Sequence, residues 1–222
     1  YYPYFSSVSK SFVKHSEKYV DYVIERFNLN CQTSSIVEIA SNDGYLLQFF
    51  RKKNFKCIGI EPSKSCAEYS RARNINVIQE FFDLNLAKDL SRRKNKADLI
   101  IANNVLPHVP DINNFVKGIS LLLKPKGVAT FEFPHLLELM KNNQYDTIYH
   151  EHYSYLSILS VTNVFEKNGL KIFDVQQINT HGGSLRVFTQ KKNSQHYKLD
   201  KNYMNLCRIE KKYKLNSSKT YV

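Results

Sequence analysis

The feature that most constrains this chain is an alternation. Short apolar runs that end in small or polar residues recur five times, with helical patterns between them. The runs are SSIVEIA (34–40), FKCIGIEP (55–62), INVIQEF (75–81), ADLIIANN (97–104) and GVATFEFP (127–134). Strands this uniformly apolar suit a parallel sheet covered on both faces. The helical patterns include GYLLQFFRKKN, SKSCAEYSRARN opening at Ser63, and DINNFVKGISLLLKPKG opening at Asp111 and closing on Pro-Lys-Gly. SKSFVKHSEKYVDYVIERF (9–27) places Phe12, His15, Tyr19, Val20, Val23, Ile24 and Phe27 at helical spacing and predicts a leading helix. After a last helix, SILSVTNVFEKNG (157–169), the runs LKIFDVQQI and SLRVFTQ are joined through Gly182-Gly183 and should pair antiparallel. The order predicts an α/β fold: a seven-stranded, mostly parallel, doubly wound sheet closed by an antiparallel hairpin, with helices on both faces. Residues 1–30 are read as a leading helical segment, 31–190 as one domain, and 191–222 as a basic helical tail or linker. Ligands of such sheets bind beyond the carboxyl ends of the strands, at the switch point beside the first strand.

Composition narrows the partners. A length of 222 residues fits one domain with a full core. No run is long and apolar enough to span a bilayer, and no charged-then-apolar leader opens the chain, so a cytoplasmic protein without a membrane partner is expected. Cys31, Cys57, Cys66 and Cys207 form no CxxC pair, which argues against a zinc cluster or a disulfide framework. The net charge of +12 would favour an anionic partner. Much of the excess falls in RRKNK (92–96) and in the region after Gln190, which read as solvated segments. A nucleic-acid binder should interleave basic and aromatic residues on one face. No such face is found outside the tail, so nucleic acid is not expected as a partner.

The first strand runs through Glu38 into Ala40, Ser41, Asn42, Asp43 and Gly44. Small residues there let a ligand approach the backbone, and Gly44 is free to adopt positive φ. The dinucleotide fingerprint G-x-G-x-x-G is not met, since only one of its glycines is present. A pyrophosphate would also be repelled by Asp43. A cationic ligand is favoured by Glu38 and Asp43 together, and the sulfonium and α-ammonium of S-adenosylmethionine have the right sign. The second strand ends in Glu61 and Pro62, where an acid suits a pair of ribose hydroxyls. Phe81 and Phe82 are candidates to pack on the adenine. Asn103 and Asn104 end the fourth strand over the same crevice. Taken singly, Asp43 is as well read as a helix cap and Glu61 as a surface acid. Their place at one end of one sheet favours the cofactor.

The opposite wall holds His108 in the loop NNVLPHVPD, and Glu132, Pro134 and His135 after the fifth strand, with His135 read as a helix-start residue. The connection that follows contains YHEHYSY (149–155). If extended, it puts His150 and His152 on one face as metal ligands, with a third from His108, Glu132 or His181. No ligand-spacing signature is met, so no metal is expected here. If it is one helical turn, Tyr149 and His152 share a face and His152 becomes a base with a tyrosine beside it. A solvated turn rarely concentrates three tyrosines and two histidines. A base in a polar pocket is therefore preferred over a metal site or a surface turn.

Taken together, YYPYFSSVS, VEIASNDGYLL, GIEPS, NNVLPHVPD, FEFPHL, DTIYHEHYSYLS and THGGSLRVF resemble the nucleotide-sugar C-methyltransferases, over about residues 1–190. The resemblance implies a Rossmann-like class I methyltransferase fold with S-adenosylmethionine as cofactor. The implied substrate is a nucleoside-diphosphate 4-keto-deoxysugar methylated at the carbon beside the ketone. It implies His152 as base, Tyr149 and Glu151 as its supports, and His108 in the active-site set. Tyr4 lies in a segment that borders the substrate pocket, and His181 and Arg186 are candidates to reach the sugar nucleotide. The family's chain has three parts, and this sequence matches the middle one. Zinc is expected only in an N-terminal module that the sequence does not contain. Pro107 stands where the family has a small residue and should stiffen the loop that carries His108. A monomer is expected. An O- or N-methyltransferase would share the cofactor crevice without needing the YHEH cluster.

Overall fold

A computed structural model describes residues 4–221. The leading helix α1 (Lys10–Arg26) starts at Ser9, whose side chain accepts from the Phe12 amide. It is followed by β1 (Ser35–Ile39), α2 (Leu47–Lys52), β2 (Lys56–Ile60), α3 (Lys64–Ala72) and β3 (Asn76–Ile78). Next come α4 (Leu84–Arg92), β4 (Ala97–Asn103), α5 (Ile112–Leu122) and β5 (Leu123–Pro134). The chain continues through α6 (Leu136–Lys141), α7 (Ile158–Lys167), β6 (Leu170–Ile178), β7 (Ser184–Lys191) and α8 (Lys201–Lys212).

The seven strands form one sheet in the order β3-β2-β1-β4-β5-β7-β6. The pairs β3–β2, β2–β1, β1–β4 and β4–β5 are parallel, and β7 runs antiparallel to both β5 and β6. This is the expected doubly wound sheet, with the strand order reversing between β1 and β4. One core layer centres on Ile100, Ala102, Phe131, Phe133, Val116 and Phe165, and the other on Tyr19, Val23, Phe50, Leu99, Ile101 and Phe188. Helix α1 lies on the second face. Its Tyr19 is buried, and its hydroxyl bonds Thr130 Oγ1 at 2.5 Å, so the ring brings no unsatisfied polar atom into the core.

Three elements differ from the sequence reading. Helix α5 stops at Leu122 rather than running to Gly127, because β5 begins at Leu123 and carries Pro125 within its irregular start. A proline lacks the donor a helix needs and is tolerated at such an irregularity. Helix α4 was not expected; Asp83 caps it by accepting from the Leu86 amide at 2.8 Å. The short α6 was not expected either, although His135 does stand at its start. In the segment after Gln190, α8 packs on β6 and α7 and buries Leu206 and Glu210. Among the described residues no helix is long and apolar enough to cross a membrane.

Candidate active site

The floor of the crevice is the turn after β1. Ala40 and Asn42 both adopt positive φ, at 55° and 50°, and Gly44 follows at 78°. This tight path is held by one asparagine. The Asn42 side-chain oxygen accepts the amides of Ser6 and Asp43 at 2.9 Å each, and its nitrogen donates to the Tyr4 carbonyl at 3.0 Å. The N-terminal segment is thereby fastened over the turn, and the Ser7 amide adds a bond to Asp43 Oδ2. Glu61 holds the turn from the other side, its two oxygens accepting the amides of Asn42 and Ser63 at 2.8 Å each. A Cβ on Gly44 would lie 2.3 Å from Ile75 Cδ1. Gly44→Ala is therefore expected to cost at least the roughly 1–3 kcal/mol of a strained backbone position, read as a lower urea midpoint.

Three carboxyls crowd this floor. Glu38, Asp43 and Glu61 are 1%, 0% and 6% exposed. Burial pushes the Glu38 carboxyl well above its usual range, and Glu61 and Asp43 beside it add to the shift. Burial also raises Glu61, against the two amides that stabilise its charge. Glu38 Oε2, Asp43 Oδ1 and Asn103 Oδ1 are buried acceptors without a hydrogen-bond partner, and Ser41 Oγ is a fourth unpartnered polar atom. Buried acceptors are normally satisfied. A ligand bringing positive charge and N–H or O–H donors would satisfy them, and it would hold the carboxylates ionised.

Between floor and far wall lies a buried ion pair. Glu132 and Arg186 face each other across β5 and β7. Arg186 Nε and Nη2 both lie 2.6 Å from Glu132 Oε1, and Nη1 donates to Gln176. His15 Nε2, from α1, is 3.0 Å from Glu132 Oε2. Burial alone would raise the Glu132 carboxyl, but the bonds and charge of His15 and Arg186 hold it below its ordinary value. His181 sits in the β6–β7 turn at φ 50°, its ring edge-on to Phe12. Burial lowers its pKa, opposed by Glu132 and helped by His15 and His152, so it is a neutral group near pH 7.

The far wall is the YHEHYSY loop. Residues 149–152 form a single turn, closed by the His152 amide donating to the Tyr149 carbonyl. The His152 ring is fixed at both nitrogens. Nδ1 lies 2.8 Å from the Thr147 carbonyl, which can only accept, so Nδ1 carries the proton. Nε2 is then the basic nitrogen, 3.0 Å from the Tyr149 hydroxyl, which donates to it. The His108 ring stands 4.7 Å from that of His152, edge to face. Burial lowers the His108 pKa and His152 lowers it further, while Glu151 pulls the other way. The two loops are joined, since the amides of Tyr153 and Ser154 donate to the Pro107 carbonyl at 2.8 and 3.3 Å.

The structure thus brings His152, Tyr149 and His108 together, and Glu38, Asn42, Asp43, Gly44, Glu61 and Asn103 around the floor. Asn104 is tied by its amide to the Glu132 carbonyl and adopts positive φ. The side chains of Glu151 and His150 are exposed. Phe82 packs edge-on against Phe115 and closes over Gly118, and Phe81 is 81% exposed. Arg186 is committed to Glu132 rather than open to a ligand. His15 was read only as part of an apolar stripe, yet it joins the buried ion pair. Its single signal in the sequence was a histidine on the buried face of a helix. Among the described residues no three His, Cys, Asp or Glu side chains converge as a metal site.

Comparison with known proteins places this geometry. Residues 12–175 match a methyltransferase domain family. The chain is 37% identical over 188 residues to the C-methyltransferase NovU of Streptomyces niveus, covering 85% of this chain and 44% of that protein. It therefore spans less than half the length of that relative. Among solved structures it resembles the PH0226 protein of Pyrococcus horikoshii OT3, with a TM-score of 0.68 at 15% identity over 85% of this chain and 95% of that one. It also resembles magnesium protoporphyrin IX methyltransferase (ChlM) of Synechocystis PCC 6803 with bound SAH, with a TM-score of 0.61 at 13% identity over 81% and 83%. These likenesses establish the Rossmann-like class I methyltransferase fold. A match over most of its length makes this chain a member of the methyltransferase domain family.

Proposed function

We propose that the protein methylates, with S-adenosylmethionine, the carbon beside the ketone of a nucleoside-diphosphate 4-keto-deoxysugar. The observation that carries the reading is the His152 turn: an imidazole whose Nδ1–H is held by a backbone carbonyl and whose basic Nε2 is met by the Tyr149 hydroxyl, which would have to yield to a substrate C–H. A methyl group going to oxygen or nitrogen has less need of such a base. The unpartnered acceptors Glu38 Oε2, Asp43 Oδ1 and Asn103 Oδ1 fit the α-ammonium and sulfonium end of the cofactor. Glu61, at the end of β2, fits its ribose hydroxyls. The cofactor, when bound, supplies an electrophilic methyl group on a positively charged sulfur.

His152 Nε2 removes the proton from the carbon beside the ketone. Neutral imidazole suits that task because its pKa lies near the working pH. The electron pair of the C–H bond becomes an enolate, whose negative charge gathers on the sugar oxygen. His108, whose ring stands beside that of His152, is the group offered to hold that oxygen. S-adenosylmethionine held at the floor would supply the methyl to that carbon, the carbon–sulfur bond electrons staying with sulfur as a neutral thioether. Positioning of carbon against methyl can supply roughly 7–11 kcal/mol of the barrier. Tyr4 and His181 are the side chains offered to the sugar nucleotide.

Calorimetry tests the cofactor assignment. S-adenosylmethionine should bind saturably, and Glu61→Ala should weaken it by about 1.5–3 kcal/mol, as for a lost hydrogen-bonded charge. Unchanged affinity in that variant, or tighter binding of NAD, refutes the assignment.

A further inference from the structure

Glu210 is a charged side chain in an unexpected place. It comes from α8, beyond the last strand, and is fully buried against the first turn of α7. Its Oε1 accepts the Ile158 amide at 2.7 Å and faces His135 Nε2 at 2.8 Å, and its Oε2 accepts the Leu159 amide at 2.9 Å. Ile158 and Leu159 open α7, where backbone donors lack helical partners. The helix's own cap, Ser157, accepts from the Ser160 amide and leaves these two donors to Glu210. A carboxylate also suits the positive end of the helix. His135 is equally buried, and it must carry its proton on Nε2 to donate to Glu210.

This network fastens both feet of the loop that carries His152. The loop leaves β5 at His135 and re-enters the fold at Ser157. Its feet are stitched to each other, with the Leu136 amide donating to the Leu156 carbonyl at 2.9 Å and His135 bridging Leu156. One foot reaches Glu210 through His135, and the other through Ile158 and Leu159. Between the feet, Leu137 anchors the α6 end in the core, whereas Tyr145, Ile148, Tyr149 and Tyr153 are exposed, so packing contributes little to the placement of the segment around His152. We propose that Glu210 is a positioning residue for methyl transfer: by clamping both feet of the loop it sets where the His152 imidazole stands in the crevice. The inference rests on the reading of His152 as the base. It makes α8 a working part of the catalytic unit.

Replacing the carboxylate leaves at least one of three buried donors unsatisfied, and such donors draw in water or move apart. Misplacement of a reacting group by ~1 Å can cost about 10²-fold in rate. In the full-length protein, with thymidine-diphosphate 4-keto-6-deoxyglucose as the probe substrate, Glu210→Gln should lower kcat by about 10- to 100-fold. Its affinity for S-adenosylmethionine should stay at the wild-type value, because the residues offered to the cofactor lie at the ends of β1, β2 and β4. The amides of Tyr153, Ile158 and Leu159 should exchange faster, and the nitrogen NMR signals of His152 should move toward a mixture of tautomers. An unchanged kcat overturns the proposal, as does a lowered kcat with these amides and the His152 signals undisturbed. His152→Ala, measured alongside, separates the two ideas. If that variant methylates at the wild-type rate the base reading fails, while loop exchange and the Glu210→Gln rate still decide the role of Glu210. Should Glu210→Gln not fold, His135→Leu removes one of the three bonds and carries the same readouts.

Discussion

His152→Ala is expected to lower methylation by about 10²–10⁴-fold, the usual cost of losing a positioned general base. Binding of S-adenosylmethionine should be nearly unchanged, since His152 stands on the far wall from Glu38, Asp43 and Glu61. Proton exchange at the carbon beside the ketone, followed by NMR in deuterium oxide, reports proton removal apart from methyl transfer. Both should be lost together. His150→Ala should have a much smaller effect, because His150 is exposed and lies off the face that joins Tyr149 to His152. His108→Gln should slow both steps only partly, as an amide N–H takes the place of the imidazole N–H. Wild-type exchange in His152→Ala, or an indispensable His150, would sink the assignment.

Breaking the ion pair beneath the site should be the most destabilising single change. Arg186→Leu leaves Glu132, 1% exposed, with only His15 beside it. Removing one partner of a buried pair typically costs about 3–5 kcal/mol. Urea unfolding at neutral pH measures it. Replacing both partners, as Glu132→Leu with Arg186→Leu, should cost less than Arg186→Leu alone, because no charge is then stranded. A double variant less stable than the single one would contradict this account. The pH dependence has a defined sign. The folded-state pKa of Glu132 is depressed. Its pairing therefore stabilises the fold above the unfolded carboxyl's pKa, and the contribution is lost as pH falls through the lower, folded value. Arg186→Leu should show less of this acid-side loss than the wild type, since the charge it depends on is gone.

The turn that floors the crevice was legible because it is local. Glu38, Asn42, Asp43 and Gly44 lie within seven residues, and their turn chemistry can be read from side-chain size and from glycine's tolerance of positive φ. The same holds for Tyr149 and His152, whose spacing puts them on one face of a single turn. What could not be read was how residues far apart in sequence spend their hydrogen bonds. Arg186 was a candidate ligand for substrate until the register of β5 against β7 set it opposite Glu132. Phe82 was offered to the adenine, and only the packing of α4 and α5 set its ring edge-on to Phe115 and over Gly118. His15 counted as one member of an apolar stripe, and only the docking of α1 placed it beside Glu132.

The sequence by itself determined the alternation, and through it the parallel sheet, the switch point and the crevice beyond its strand ends. Periodicity and turn residues act over a few residues, so they survive without tertiary context. The tertiary structure alone decided which charges are neutralised inside and which face a ligand. That choice depends on pairings across 54 residues for Glu132 with Arg186 and 75 for His135 with Glu210. A buried carboxylate is tolerable only where those distant partners arrive, and no local pattern records their arrival.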